Sequence, residues 1–199
     1  MKQADPSPNH AEALQAFLQG IQPIEASALE DYLSHWKPFE LPKKSIQTQA
    51  GQTETWLYFV GSGIQKSYYL HDGKAHVMTF AYAPSFGGVI ESFVTQKPSR
   101  YTLETITAST FLRISRAHHL EMLQQYHGLE TLFRIISERF LDGVIQRQHE
   151  LLALSMEERF RVFVQRSPHL LRKVSQKDLA SYLRIDPTNF SKLINRIKI

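Results

Sequence analysis

The sequence predicts an α+β protein in three successive parts: a β-rich unit with helices at its N-terminal side, one long helix, and a small helical unit at the C-terminal end. Three observations predict it. Short β-prone runs punctuated by glycine fill the stretch from about Phe39 to Arg113. No proline interrupts a series of good helix formers from Gly128 to Leu154. Between Gln176 and Arg196, apolar residues fall at the offsets of two short crossing helices. With 42% hydrophobic and 21% charged residues in a chain of 199, a core can be buried, and disordered or collagen-like classes are excluded. The absence of cysteine excludes a disulfide framework, a thiolate zinc site, a cysteine-ligated iron–sulfur cluster and a nucleophilic thiol.

The first eight residues, Met1 to Pro8, are polar and lack the apolar core of a secretory signal. No later run reaches membrane length, so the expected location is the cytoplasm. Leu14, Phe17 and Leu18, then Ala26, Leu29, Leu33 and Trp36 after Pro23, are spaced for short helices. Strands are expected at Trp56 to Val60, Ile64 to Leu70, Ala75 to Tyr82 and Tyr101 to Ile106. The Asp72-Gly73 pair suits a tight hairpin, in which both central residues take positive φ, and Gly61-Ser62-Gly63 is expected to make another turn. Strands so regularly spaced predict a sandwich, barrel or roll rather than a parallel α/β sheet.

Helical periodicity returns after Ile114 and dominates the long helix. Its apolar residues lie on two neighbouring stripes, Phe133, Ile136, Phe140 and Val144 on one and Leu141, Ile145 and Leu152 on the other. One packing partner needs only one stripe. The expectation is therefore that one stripe packs on the β-unit and the other on a symmetry mate, with Ile136, Phe140, Gly143 and Val144 at the dimer interface and Gly143 allowing close approach of backbones. A helix buried within a monomer is the alternative.

Charge is distributed unevenly. From Arg159 onward ten Lys/Arg face only Asp178 and Asp186, whereas the remainder carries thirteen basic and seventeen acidic residues, for a formal total of +4. A small basic unit behind a mildly acidic one is the asymmetry expected of a chain that meets a polyanion, the alternative being a solvated charged surface. Within the basic unit, Leu179, Ala180, Leu183, Ile185, Phe190 and Leu193 can form a shared miniature core. Asp186 can cap a second helix that opens with Pro187. Thr188, Asn189, Ser191, Lys192, Asn195 and Arg196 then leave that helix a polar outer face of donors and acceptors, as major-groove readout requires. The pattern is a helix-turn-helix whose second helix reads DNA, an ordinary helical hairpin being the alternative. Arg184 stands at the turn position usually taken by glycine, which predicts a strained or altered turn.

Taken together, β-unit, long helix and helix-turn-helix resemble the Crp/Fnr family of bacterial transcription regulators over nearly the whole chain. Trp56 to Gly63 looks like the strand and turn of a cyclic-nucleotide-binding β-roll, Asp72-Gly73-Lys74 like its next hairpin, and Ser155-Met156-Glu157-Glu158-Arg159 is similar to the junction into the DNA-binding domain. The resemblance implies a β-roll sensor with cap helices over residues 1–127, a dimerisation helix over 128–154 and a DNA-binding domain over 155–199 that shows no evident wing. It implies a homodimer on promoter DNA with RNA polymerase as a further partner. Gln176 to Arg196 matches the family's helix-turn-helix, with Pro187, Thr188 and Lys192 at the positions that face DNA; the full set of candidate DNA-binding residues is Gln176, Lys177, Pro187, Thr188, Asn189, Ser191, Lys192, Asn195 and Arg196, with Lys198, near the helix end, expected on a phosphate.

Phe86-Gly87-Gly88 followed by Ser99-Arg100-Tyr101-Thr102 looks like the family's phosphate-binding cassette. Glycines bring backbone N–H groups close to an anion, and a guanidinium forms paired bonds with phosphate. Two elements are missing: Gly88 stands where a ribose-binding glutamate is expected, and Val144 and Ile145 stand where cyclic-AMP-binding members offer hydroxyls to the base. Arg100 is also offset in spacing and can pair with Glu91. The expectation is that no conventional cyclic nucleotide binds, leaving an unidentified effector or none. His118, His119 and His149 are expected to be surface or packing residues rather than metal ligands. No nucleophile–base arrangement or phosphate-binding loop points to an enzyme. The competing function is a ligand-binding or protein-interaction module with little or no DNA binding.

Overall fold

The computed structural model describes residues 8–196; the expectations for the first seven residues and for Lys198 lie outside them. Among the described residues two helices come first, α1 (Pro8–Gln19) and α2 (Ala26–Ser34). Trp36 does not extend α2 as its spacing predicted. It follows the helix end, packs edge-on against Tyr32 at 5.7 Å, and leads into the first strand.

Eight strands follow: β1 (Lys37–Leu41), β2 (Ile46–Thr48), β3 (Trp56–Ser62), β4 (Ile64–His71), β5 (Lys74–Tyr82), β6 (Ser85–Gly87), β7 (Thr102–Thr105) and β8 (Ser109–Ser115). They form two four-stranded sheets in the orders β1-β8-β3-β6 and β2-β7-β4-β5. β8 pairs antiparallel with both β1 and β3. The short helix α3 (Ile90–Thr95) interrupts the strands, and α4 (Arg116–Gln125), capped by Ser115, closes the series.

The β4–β5 hairpin turns at Asp72 and Gly73 with φ of 50° and 69°, as the Asp-Gly pair requires. The other glycine turn is narrower than expected, because Gly61 and Ser62 remain in β3 and only Gly63, at φ 91°, makes the turn. A side chain cannot be accommodated at Gly63, since its Cβ would lie 2.6 Å from the Ala108 carbonyl oxygen.

The chain forms two compact units. The first runs through Ser67 and resumes over Phe80–Glu138; the second comprises Tyr68–Thr79 and everything from Arg139. The core of the first joins Leu14, Leu18, Leu29 and Tyr32 of the cap helices to Leu57, Phe59, Leu112 and Ile114 of the sheet and to Leu129 and Leu132. On the neighbouring sheet surface, the Arg113 guanidinium lies between the rings of Phe39 and Trp56, 4.2 Å from each centroid.

Helix α5 (His127–Ala153) is continuous, as predicted, but its apolar stripes divide along its length rather than around it. Phe133 and Ile136 pack against the core of their own chain because they precede the boundary at Glu138. Ile136, half-buried, therefore contributes to the core of its own chain. Phe140, Leu141, Val144, Ile145 and Leu152 are exposed. Gly143 between them is open on its own chain, with nothing near the position of a Cβ.

A pH dependence arises inside the first unit. His119 is 5% exposed, its Nδ1 is 2.9 Å from the Tyr32 hydroxyl, and burial, aided by nearby Arg116, pushes the imidazole down to about 4. The folded chain thus holds the ring neutral more strongly than the unfolded chain does. Its contribution is intact above pH ~6.5 and falls by roughly 3 kcal/mol as the pH drops to about 4. Glu54, raised by burial, acts in the opposite sense. The histidine contribution is therefore read as the difference in pH slope between wild type and His119→Leu in urea unfolding. Identical slopes would remove His119 as the cause.

Candidate nucleic-acid interface

The second unit contains four further helices: α6 (Met156–Arg166), α7 (Leu170–Lys173), α8 (Gln176–Leu183) and α9 (Pro187–Arg196). Ser155 starts α6 with a capping box, its hydroxyl accepting from the Glu158 N–H while the Glu158 carboxylate accepts from the Ser155 N–H. Phe160 and Phe163 of α6 and Leu170 of α7 are fully buried. All six residues expected in the miniature core of α8 and α9, Leu179, Ala180, Leu183, Ile185, Phe190 and Leu193, are buried. Phe190 meets Phe160 edge-on at 5.6 Å, tying α9 to α6.

Local chemistry sets both helix starts. The Ser175 hydroxyl accepts from the Asp178 N–H at 3.1 Å to cap α8. Asp186 Oδ1 accepts from the N–H groups of Thr188 at 2.9 Å and Asn189 at 3.4 Å, and Pro187 takes the first helical position. The turn between the helices depends on Arg184, which adopts the left-handed conformation (φ 55°, ψ 44°) disfavoured for any residue with a Cβ. Two other arginines satisfy the carbonyls at this end of α8. Arg159 donates from Nε to Leu183 O at 3.0 Å and from Nη2 to Arg184 O at 3.3 Å, and Arg147 donates from Nη2 to Tyr182 O. Cations placed at a helix C-terminus also oppose its partial negative charge.

Arg147 performs a second task. It and Arg166 clamp Glu150, which is 3% exposed. Arg166 binds Glu150 through Nη1 to Oε1 at 2.8 Å and Nη2 to Oε2 at 3.4 Å, and Arg147 Nη1 reaches Oε2 at 3.1 Å. Burial alone would raise this carboxyl, but the two guanidinium groups hold it below the usual carboxylate range. Sequence reasoning missed Arg147, Glu150 and Arg166, and it placed Arg159 at the domain junction without its role at the α8 carbonyls. The only available signal was the surplus of arginine near the domain junction.

Among the described residues, those expected to face DNA are exposed: Gln176 and Lys177 at the start of α8, and Pro187, Thr188, Asn189, Ser191, Lys192, Asn195 and Arg196 along α9. Thr188 and Lys192 share a face one turn apart. The exposed residues of α9 lie on a helix whose Phe190 and Leu193 are buried in the miniature core.

The cassette residues are placed differently. Phe86 is enclosed by aromatic rings, with Phe17, Phe59 and Phe133 all within 6.0 Å of its centroid. Gly87 ends β6, and Gly88 follows at φ 112°. Ser99 is buried, donates to Tyr101 O at 2.7 Å and accepts from the Tyr101 N–H at 2.9 Å. Thr102 accepts from the Ala50 N–H at 3.3 Å. Arg100 pairs with Glu91 through Nη2 at 2.7 Å and Nε at 3.0 Å, and its guanidinium lies 5.6 Å from the Tyr101 ring centroid. The internal ion pair that the sequence allowed to Arg100 is thus formed. Among the described residues no group of three or more His, Asp or Glu could hold a metal ion. His118 stacks on His35 at 4.9 Å, and His149 is exposed. No helix among the described residues is long and apolar enough to cross a membrane.

Comparison with known proteins agrees with this architecture. Residues 38–126 match the model of the cyclic nucleotide-binding domain. Among solved structures, the chain is similar to FixK2 from Bradyrhizobium japonicum at a TM-score of 0.69 and 16% identity, covering 81% of this chain and 83% of that one. The global regulator CLP of Xanthomonas campestris, described as c-di-GMP responsive, superposes at a TM-score of 0.59 and 21% identity over 86% of this chain and 91% of that one. Thermus thermophilus catabolite activator protein gives a TM-score of 0.56 and 16% identity over 88% and 84% of the two chains. No curated protein sequence matches the chain. Residues 38–126 are therefore similar to a cyclic nucleotide-binding domain, and the chain, with its β-roll, long helix and terminal helices, has the fold of these solved structures.

Proposed function

We propose that this protein is a transcription regulator that binds double-stranded promoter DNA as a homodimer, with α9 in the major groove. The carrying observation is the exposed polar face of α9, built on a buried core and started by the Asp186 cap. Thr188, Asn189 and Lys192 sit toward the N-terminal part of the helix, the portion that reader helices present to base edges. The surplus of positive charge from Arg159 onward supplies the sequence-independent attraction to phosphates. Dimerisation uses the exposed apolar residues Phe140 and Val144 beside the open Gly143. An effector of unidentified chemistry, if the regulator takes one, meets a cassette whose arginine is already paired with Glu91.

Lys192 and Arg196 are expected to do different work. Lys192→Ala should relax preference at a symmetric pair of operator positions and cost roughly 1–3 kcal/mol for each base edge that the lysine reads. Arg196→Ala, nearer the helix end, should weaken binding to all sequences alike and flatten its dependence on salt. Site selection followed by anisotropy titrations at several salt concentrations measures both. The reverse pattern would show that α9 docks in another orientation. Wild type that fails to bind DNA at low salt would favour the protein-interaction reading.

A further inference from the structure

β5 is an edge strand of its sheet, and its first half belongs to the same compact unit as helices α6 to α9. Edge strands leave a row of N–H and C=O groups without a neighbouring strand. Ser181, in the second turn of α8, meets two of them. Its hydroxyl accepts from the Val77 N–H at 3.0 Å and donates to Ala75 O at 3.2 Å. One side-chain oxygen thereby substitutes for the donor and the acceptor of an absent strand residue. Between these two residues, His76 stacks on Tyr69 at 4.9 Å, and its Nδ1 lies 3.5 Å from Arg184 Nη1 at the turn of the helix pair. Contacts with the hairpin thus reach the last turn of α8 and the residue that sets the turn into α9.

We infer that Ser181 is a positioning residue for DNA readout: its hydroxyl clasps α8 to the β4–β5 hairpin and fixes the orientation from which α9 meets the groove. The inference rests on the proposed DNA-binding function. A clasp could instead be a block, but Gln176, Lys177, Thr188, Asn189 and Lys192 are all exposed while it is closed. It restrains the helix pair without covering the face that reads. A restrained reader has less orientational freedom to lose on binding, so the clasp favours affinity. It also favours one separation of half-sites, because a two-fold dimer binds sites whose spacing matches the separation of its reader helices.

The test uses the full chain as wild type, Ser181→Ala and Ser181→Thr, the last of which keeps a hydroxyl. Amide exchange at Val77 reads the clasp directly. Affinity for the selected operator, and for operators lengthened or shortened by one base pair between half-sites, reads its effect. In Ser181→Ala, Val77 should exchange at least about 10-fold faster, the size of effect expected when a net hydrogen bond is removed. Operator affinity should fall about 3- to 10-fold, and the penalty for altered spacing should shrink. Ser181→Thr should restore all three. Unchanged Val77 exchange in Ser181→Ala would show that there is no clasp. Faster exchange with unchanged affinity and spacing preference would show a clasp that positions nothing, and tighter binding would make it a block. Each of these overturns the inference while leaving DNA binding by wild type intact; wild type that binds no DNA overturns the proposed function itself.

Discussion

Phe190→Ala is expected to unfold the second unit and abolish DNA binding. Phe190 is 1% exposed, belongs to α9, and reaches α6 through its edge contact with Phe160. Truncating a buried phenylalanine costs about 3–5 kcal/mol, a large share of the stability of a small domain. The β-roll core, which draws its side chains from Leu14 to Ile136, contains none of the affected residues. Amide exchange should therefore show loss of protection from Leu179 to Leu193, with protection kept in β3 and β8. Uniform loss across the whole chain would instead mean that the two units unfold as one cooperative body.

The second large effect concerns α5. Phe140 and Val144 are 57% and 48% exposed on successive turns of one chain, an apolar strip that water solvates poorly and a second copy can cover. Phe140→Glu or Val144→Glu should shift the sedimenting species from dimer to monomer. Operator affinity should fall by about 10²- to 10⁴-fold, the advantage forfeited when two half-sites are no longer bound by one linked pair. A dimer of unchanged strength in both variants would move the interface off this helix.

How far the sequence revealed these features depended on how local their causes are. Asp72-Gly73 gave the hairpin and Asp186-Pro187 the start of α9, because in each case two adjacent residues determine the backbone. The long helix and the miniature core were legible from periodicity. β2 and β6 escaped because three residues carry no period. β8 escaped because its pattern ran into the helical residues after Ile114. The division of α5 between core and exposed strip was invisible because Ile136 and Phe140 have the same apolar character and only tertiary packing distinguishes them. The hold of Arg159 and Arg147 on the end of α8 was missed for another reason: there their acceptors are carbonyls of residues 182–184, and every residue has a carbonyl. In the cassette, the pairing of Arg100 with Glu91 was one of two open roles, since sequence proximity alone cannot say whether a guanidinium points inward or outward.

Both tryptophans lie in the first unit, Trp36 in its core and Trp56 on the sheet surface against the Arg113 guanidinium. Intrinsic fluorescence excited at the red edge will therefore follow the β-roll alone. A denaturation curve recorded that way can look complete and reversible while α8 and α9 have already melted or have never formed. Tyr182, whose ring lies 4.1 Å from the Arg147 guanidinium in the second unit, offers an optical signal from the other part of the molecule. Because five of the eight tyrosines belong to the first unit, the melting of the second is read as the part of the tyrosine transition that Tyr182→Phe removes.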